Sequence, residues 1–244
     1  MDDSMKMYCE LYFDSFPNEK MIRQTANPIR EYEDELIEGP IIDIGCGQSS
    51  FLLEFLNSNR EIYAVDNEQV QLDYLKKRVI QENKAKLNKW HFKNLNFPDE
   101  LLPDRTYALI ILSNILHFFS LKQCLEIGKK LVEFTEKGSM IYIVVHSRNY
   151  YMNDPKNPDN NEYFKHYFTT KDLEKIFPKK LFEKVYSAEI EKVDTQSDKE
   201  ITNQWLDKSL DADGITDPRH RAFIKKNYLK NRAQSDIQMI FRRR

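Results

Sequence analysis

The sequence predicts an α/β fold, a doubly wound, mostly parallel, seven-stranded sheet with N-terminal helices and helical or loop insertions. Three observations predict it. Short apolar runs alternate with helix-patterned stretches between residues 40 and 145. The first apolar run ends in Asp43-Ile44-Gly45-Cys46-Gly47, in a chain of 244 residues that holds only six glycines. The second run ends on an acid, Asp66.

Residues 1–38 mix aromatic and charged side chains and predict one or two helices. PIIDI (40–44) is the first strand, and the next segment carries Phe51, Leu52, Phe55 and Leu56 on one helical face. EIYAV (61–65) is the second strand. Asp66 and Gln69 have capping-box spacing for a helix bearing Leu72, Leu75 and Val79. WHFKN (90–94) and YALIIL (107–112) are the third and fourth strands. Ser120 and Gln123 cap a helix bearing Leu121, Cys124, Leu125, Leu131, Val132 and Phe134, with Gly138 marking the turn that follows. MIYIVV (140–145) is the fifth strand. Runs buried on both faces, joined by helices, describe a parallel sheet.

The regularity lapses over 148–167, a loop rich in Asn, Asp, Pro and aromatic residues; loops of that length in compact domains are usually functional or disordered. Thr169 or Thr170 opens a short helix, LFEKVYSAEIEKV (181–193) is the sixth strand, 194–232 reads as a polar helical insertion, and IQMIF (237–241) is the last strand.

The composition narrows the function. Hydrophobic residues make up 41% of the chain, enough for a sizeable core. A formal net charge of -2 argues against a dedicated nucleic-acid binder, which would be basic. Cys9, Cys46 and Cys124 have neither metal-ligand spacing nor the even count of a disulfide framework, so no metal and a reduced, cytoplasmic protein are expected. The first residues lack the apolar stretch of a signal peptide, and no apolar run could span a bilayer.

Glycines at the end of a buried strand allow positive φ and let a ligand approach the backbone. The helix that follows offers unpaired N–H groups. Open α/β sheets bind ligands at this place, and an acid about twenty residues further on can accept from ribose hydroxyls. The chain has GxGxS in place of the dinucleotide pattern GxGxxG, which weakens a nicotinamide-dependent oxidoreductase. Asp43, just before the glycines, suits a ligand with a cationic amino group and not a pyrophosphate.

On these residues the stretch GPIIDIGCGQSSFLLEFL, with EIYAVDNEQ after it, closely resembles motif one and the acidic-loop motif of class I S-adenosylmethionine-dependent methyltransferases. HFKNLNFPDELLPDRTYALIILSNILHFF resembles that family's third and fourth strand motifs, so the likeness covers residues 38–147. It implies a Rossmann-like class I methyltransferase fold with S-adenosyl-L-methionine as cofactor. Asp43, Gly45 and Gly47 would line its methionine part, Asp66 would bind the ribose, Asn94 and Leu95 would meet the adenine, and Ser113 and Asn114 would stand beside the sulfonium. Cys46 and Asn67 join this cofactor-binding set, Cys46 as a small filler and not a nucleophile. The chain departs from the family at Ser49, which replaces a glycine, and at Asn94, which replaces an acid.

The chain thus reads as a single methyltransferase domain: an N-terminal helical lid (1–38), a cofactor-binding core (39–147), and a substrate loop, insertion and last two strands (148–244). His117 and His146, past the fourth strand and at the end of the fifth, are the candidate catalytic bases. His166 belongs to the aromatic loop with Tyr150, Tyr151, Tyr163, Phe164, Tyr167 and Phe168, a set that could close over an organic acceptor. The expected partner is a small-molecule methyl acceptor, with no membrane and no nucleic acid. An RNA or protein acceptor would alter only the partner, and a catalytically inactive, cofactor-binding regulatory protein is the alternative. The runs Lys76-Lys77-Arg78 and Arg242-Arg243-Arg244 read as solvated charge.

Overall fold

The computed structural model describes residues 3–15, 27–153, 156, 163–192, 194–228 and 234–244. Contacts divide the chain into two units, one drawn from residues 1–26 and 192–233, the other from 27–191 and 234–244.

The larger unit is built on a seven-stranded sheet. Its strands are β1 (Ile41–Ile44), β2 (Ile62–Asp66), β3 (Trp90–Asn94), β4 (Leu109–Ser113), β5 (Met140–His146), β6 (Phe182–Lys192) and β7 (Gln234–Arg243). Their order is β3-β2-β1-β4-β5-β7-β6. Neighbours from β3 through β5 run parallel, and β7 is antiparallel to β5. All residues of β1, β2 and β5 are buried, as strands covered on both faces require. The order reverses at β1 and β4, and the crevice above their carboxyl ends is where such sheets bind ligands.

Two apolar layers cover the sheet. One gathers Ile42, Ile44, Ile110, Leu112, Ile141 and Ile143 under the helix Leu121–Val132. The other gathers Ile41, Ala64, Leu109, Ile111 and Tyr142 with Leu52, Phe55, Leu72, Leu75 and Val79. Strand alternation fixes which residues share the second face. Asp43, Ile111, Tyr142 and Ile240 stand in one row, Ser113, Val144 and Gln238 in the next, and His146 with Asp236 in the last. The face therefore turns from apolar to polar toward the carboxyl ends of the parallel strands.

Ser120 and Gln123 form the expected capping box, and Thr169 forms one with Asp172. Other elements differ from expectation. The helix after the glycine loop is a single turn, Ser50–Leu53. The capping box at Asp66 does not form: helix Gln69–Asn83 starts after Glu68, and the Asp66 carboxylate accepts from the Glu68 amide at 2.9 Å. β4 begins at Leu109, two residues late, and β7 begins at Gln234, three residues early. Arg78 is not solvated but fully buried, because it lies three residues after Leu75 on the inward stripe of its helix. Its guanidinium donates to the Gln48 carbonyl at 3.3 Å and to Gln48 Oε1 at 2.9 Å.

In the smaller unit, helix Asp3–Asp14 packs Met7, Tyr8, Leu11 and Tyr12 against Ile201 and Trp205 of helix Gln196–Ala212. The Trp205 indole donates to the Ser4 carbonyl at 3.0 Å. Helix Pro218–Tyr228 is held by Arg221 and Lys225, both paired with Asp207. Among the described residues, 3–15 and 194–228, which sequence keeps apart, thus fall in one packing unit, while 27–38 of the expected N-terminal lid belong to the larger one. Parts of the helices and loops expected over 1–38, 148–167 and 194–232, together with residue 193, lie outside the described residues.

Candidate active site

The loop after β1 is fastened to β2. The amides of Gly45 and Cys46 both donate to the Val65 carbonyl, at 2.8 and 2.9 Å, and the Gly47 amide donates to Asp66 Oδ2 at 2.8 Å. Ser49 donates its amide to the Cys46 carbonyl at 2.9 Å, and its hydroxyl accepts from the Leu52 amide at 3.2 Å. The amides of Gly45, Cys46, Gly47, Ser49 and Leu52 are therefore already engaged within the protein. What the glycines supply is shape. Gly45 has φ +70°, and a Cβ there would lie 2.5 Å from Ile115 Cδ1. Gly47 has φ +51°, and a Cβ added there would meet no atom of the described residues within 4 Å, so its α-carbon borders open space.

Two carboxylates flank that space. Asp43 is 1% exposed. Ser49 Oγ donates to its Oδ2 at 2.7 Å, while Oδ1 is buried without a hydrogen-bond partner among the described residues. Burial pushes its carboxyl up to about 7, against the lowering effect of the Ser49 hydrogen bond and with a further rise from Asp66. Ser49, a departure from the family pattern, thus becomes the group that orients Asp43. Asp66 closes β2, with Oδ1 receiving the Glu68 amide and Oδ2 the Gly47 amide. Burial raises it as well, opposed by those same backbone donors. Each oxygen keeps a second lone pair for a ligand hydroxyl.

Asn94 lies beside Asp66 in register. Its amide nitrogen donates to the Asp66 carbonyl at 3.1 Å, and the Leu95 amide donates to the same oxygen at 3.1 Å. This leaves the exposed Asn94 side chain its carbonyl as acceptor. Beyond β4, Asn114 takes φ +59°, a left-handed conformation that asparagine tolerates better than most residues. Its Nδ2 lies 3.4 Å from Ser113 Oγ, and its Oδ1 is buried without a hydrogen-bond partner among the described residues. Asp43, the glycine loop, Asp66, Asn67, Asn94, Leu95, Ser113 and Asn114 therefore all stand at the carboxyl end of the parallel strands.

The two candidate bases meet beside them. The rings of His117 and His146 stack at 3.9 Å with 6° between their planes, and His146 stacks on Tyr150 at 3.9 Å. Phe164 meets both imidazoles edge-on at 4.7 Å. His146 Nδ1 lies 2.8 Å from Oδ1 of Asp236, which is fully buried on β7. Asp236 escapes sequence reasoning because antiparallel pairing alone brings it ninety positions back to His146. His166 points elsewhere, 3.6 Å from the Asp172 carboxylate, and burial lowers its ring. Cys46 is buried and its thiol is pushed well up, first by burial and then by Asp43 and Asp66, as befits a filler.

Residues 41–138 match the family described as "Methyltransferase domain". The match spans 98 of the chain's 244 residues and shows what this segment is similar to. No curated protein sequence matches the chain. Among solved structures, a protein named as a sarcosine dimethylglycine methyltransferase of Galdieria sulphuraria superposes with a TM-score of 0.64 at 11% identity, covering 99% of this chain and 98% of its own. An S-adenosylmethionine-dependent methyltransferase of Methanosarcina mazei gives 0.59 at 16% identity, covering 90% and 98%. The [4+2]-cyclase SpnF gives 0.58 at 14% identity, covering 86% and 77%. At such identities the likeness concerns the fold alone.

Proposed function

We propose that this chain binds S-adenosylmethionine at the carboxyl ends of β1 to β4 and transfers its methyl group to a small organic acceptor. Asp43 carries the reading. A buried carboxylate with one unsatisfied oxygen is costly, and a cationic amino group offered at that oxygen removes the cost. The remaining residues fit the same ligand. Open space at Gly47 admits the amino-acid part, Asp66 accepts from the sugar hydroxyls, and Asn94 offers its carbonyl to the base.

When bound, the cofactor supplies an activated methyl carbon. The protein's task is to orient the acceptor in line with it, keep water away and take up the acceptor's proton. His146 is assigned the last role. An ionised Asp236 can only accept a hydrogen bond, so it holds the proton on Nδ1 and leaves Nε2 as the basic nitrogen. The His117 ring, lying flat on His146, fixes the plane of that ring. The small acceptor is supported by the absence of a basic bias and by the aromatic rings around the histidines.

Calorimetric titration with S-adenosylmethionine tests the reading. Saturable heat with wild type, lost in Asp66→Ala, is expected. No heat with wild type would overturn it, and binding without transfer across a broad acceptor panel would leave the binding-only alternative.

A further inference from the structure

The second sheet face holds two polar groups that the cofactor residues leave unused. Tyr142 and Gln238 are diagonal neighbours on the antiparallel pair β5 and β7: Tyr142 is opposite Ile240, and Gln238 is opposite Val144. Both point to the face that carries Asp43, Ser113, His146 and Asp236. Tyr142 is 0% and Gln238 2% exposed. The Tyr142 hydroxyl and Gln238 Nε2 are buried without a hydrogen-bond partner among the described residues. A phenylalanine and a methionine would fill the same space without stranding a polar group, and native folds rarely strand two side by side.

We propose that Tyr142 and Gln238 are the recognition groups of the acceptor site, and that they select an uncharged molecule carrying a hydroxyl, amide or other carbonyl oxygen. The inference rests on the methyl-transfer reading and names the substrate class for that site. Both groups can donate a hydrogen bond, so their shared complement is an oxygen lone pair. That oxygen belongs to a neutral group because of the local field. Besides burial, the groups acting on the Tyr142 hydroxyl include the carboxyl groups of Glu54 and Asp236. They repel a carboxylate or phosphate at this position. The Phe51 ring stands edge-on to Tyr142 at 5.7 Å and gives the site an apolar wall. Asp236 joins the two functions, since it shares the face with Gln238 and holds His146. Gln238 stands two residues along β7 from Asp236, so an acceptor bound here lies on the same sheet face as the proposed base.

The test compares neutral ligands with charged isosteres on the full chain, with and without S-adenosylhomocysteine. Acetamide, benzamide and benzyl alcohol are set against acetate and benzoate, each at millimolar concentration, and melting temperature is read. The neutral ligands raise it by a few degrees and the carboxylates do not. Tyr142→Phe and Gln238→Met abolish that rise, keep wild-type affinity for S-adenosylhomocysteine, and melt no lower than wild type without ligand. Carboxylates that stabilise as well as the amides, or no neutral ligand that stabilises, overturn the proposal. So does a ligand-free variant melting several degrees below wild type, which would show that structural water holds these groups. Failure of the cofactor reading is distinguishable, because it appears as absent S-adenosylhomocysteine binding in wild type.

Discussion

The Gly47 amide donates a 2.8 Å hydrogen bond to the Asp66 carboxylate, joining the turn after β1 to the end of β2. One side chain therefore organises the protein and is also the proposed acceptor for the cofactor's sugar. Asp66→Ala removes a charged acceptor from two backbone amides as well as from the sugar. Each charge-assisted bond is worth about 1.5–3 kcal/mol, so cofactor affinity is expected to fall about 100-fold or more. Asp66→Asn falls between, and titration calorimetry ranks the three proteins.

Asp43 predicts two opposite pH dependences. Its folded carboxyl is raised to about 7 from 3.8, so between those values the native state binds more protons than the unfolded state. Stability of the ligand-free protein accordingly falls as pH rises through that window. Asp43→Asn removes this loss and raises the melting temperature at pH 8. Binding of the cationic amino group needs the ionised form. Cofactor affinity is expected to tighten roughly tenfold between pH 6 and pH 8, and to be weak and flat in Asp43→Asn.

The two loop glycines separate by mechanism. Gly45→Ala meets both a positive φ and Ile115 at 2.5 Å, so a stability loss of about 2–3 kcal/mol is expected by denaturant titration. Gly47→Ala meets only the positive φ, costing about 1 kcal/mol. The added methyl group enters the space assigned to the ligand, so its main effect is weaker cofactor binding.

His146→Gln is expected to lower kcat about 100-fold or more with little change in cofactor affinity. Asp236→Asn is expected to lower kcat as well, because an amide can donate to Nδ1 and favour the wrong tautomer. Wild-type kcat in both variants would assign the ring stack a purely structural role.

Cys124, like Cys46, is buried, and burial pushes its thiol up to about 12. Neither is expected to react with a thiol reagent at pH 7 in the folded protein, and both should react in denaturant. Mass spectrometry of labelled peptides reads both states.

Strand positions are legible because buried parallel strands are short apolar runs, and the fully buried Ile41–Ile44 falls within its expected bounds of 40–44. The helix after the glycines reads as longer than its one turn because Phe55 and Leu56 stay buried in the turns beyond it, which a pattern of apolar residues cannot distinguish from helix. Arg78 misleads for a related reason: three consecutive cations look like solvated charge, yet one of any such three on a helix can face inward.

The sequence by itself determined the alternating architecture, the glycine turn and its acids, since local pattern and spacing encode them. Tertiary structure alone decided that Ser49 orients Asp43, that the loop amides are spent on β2, and that Asp236, Tyr142 and Gln238 share a face with His146. The reason is physical. Hydrogen-bond partners and sheet neighbours far apart along the chain are set by register and crossover, which no short window of residues contains.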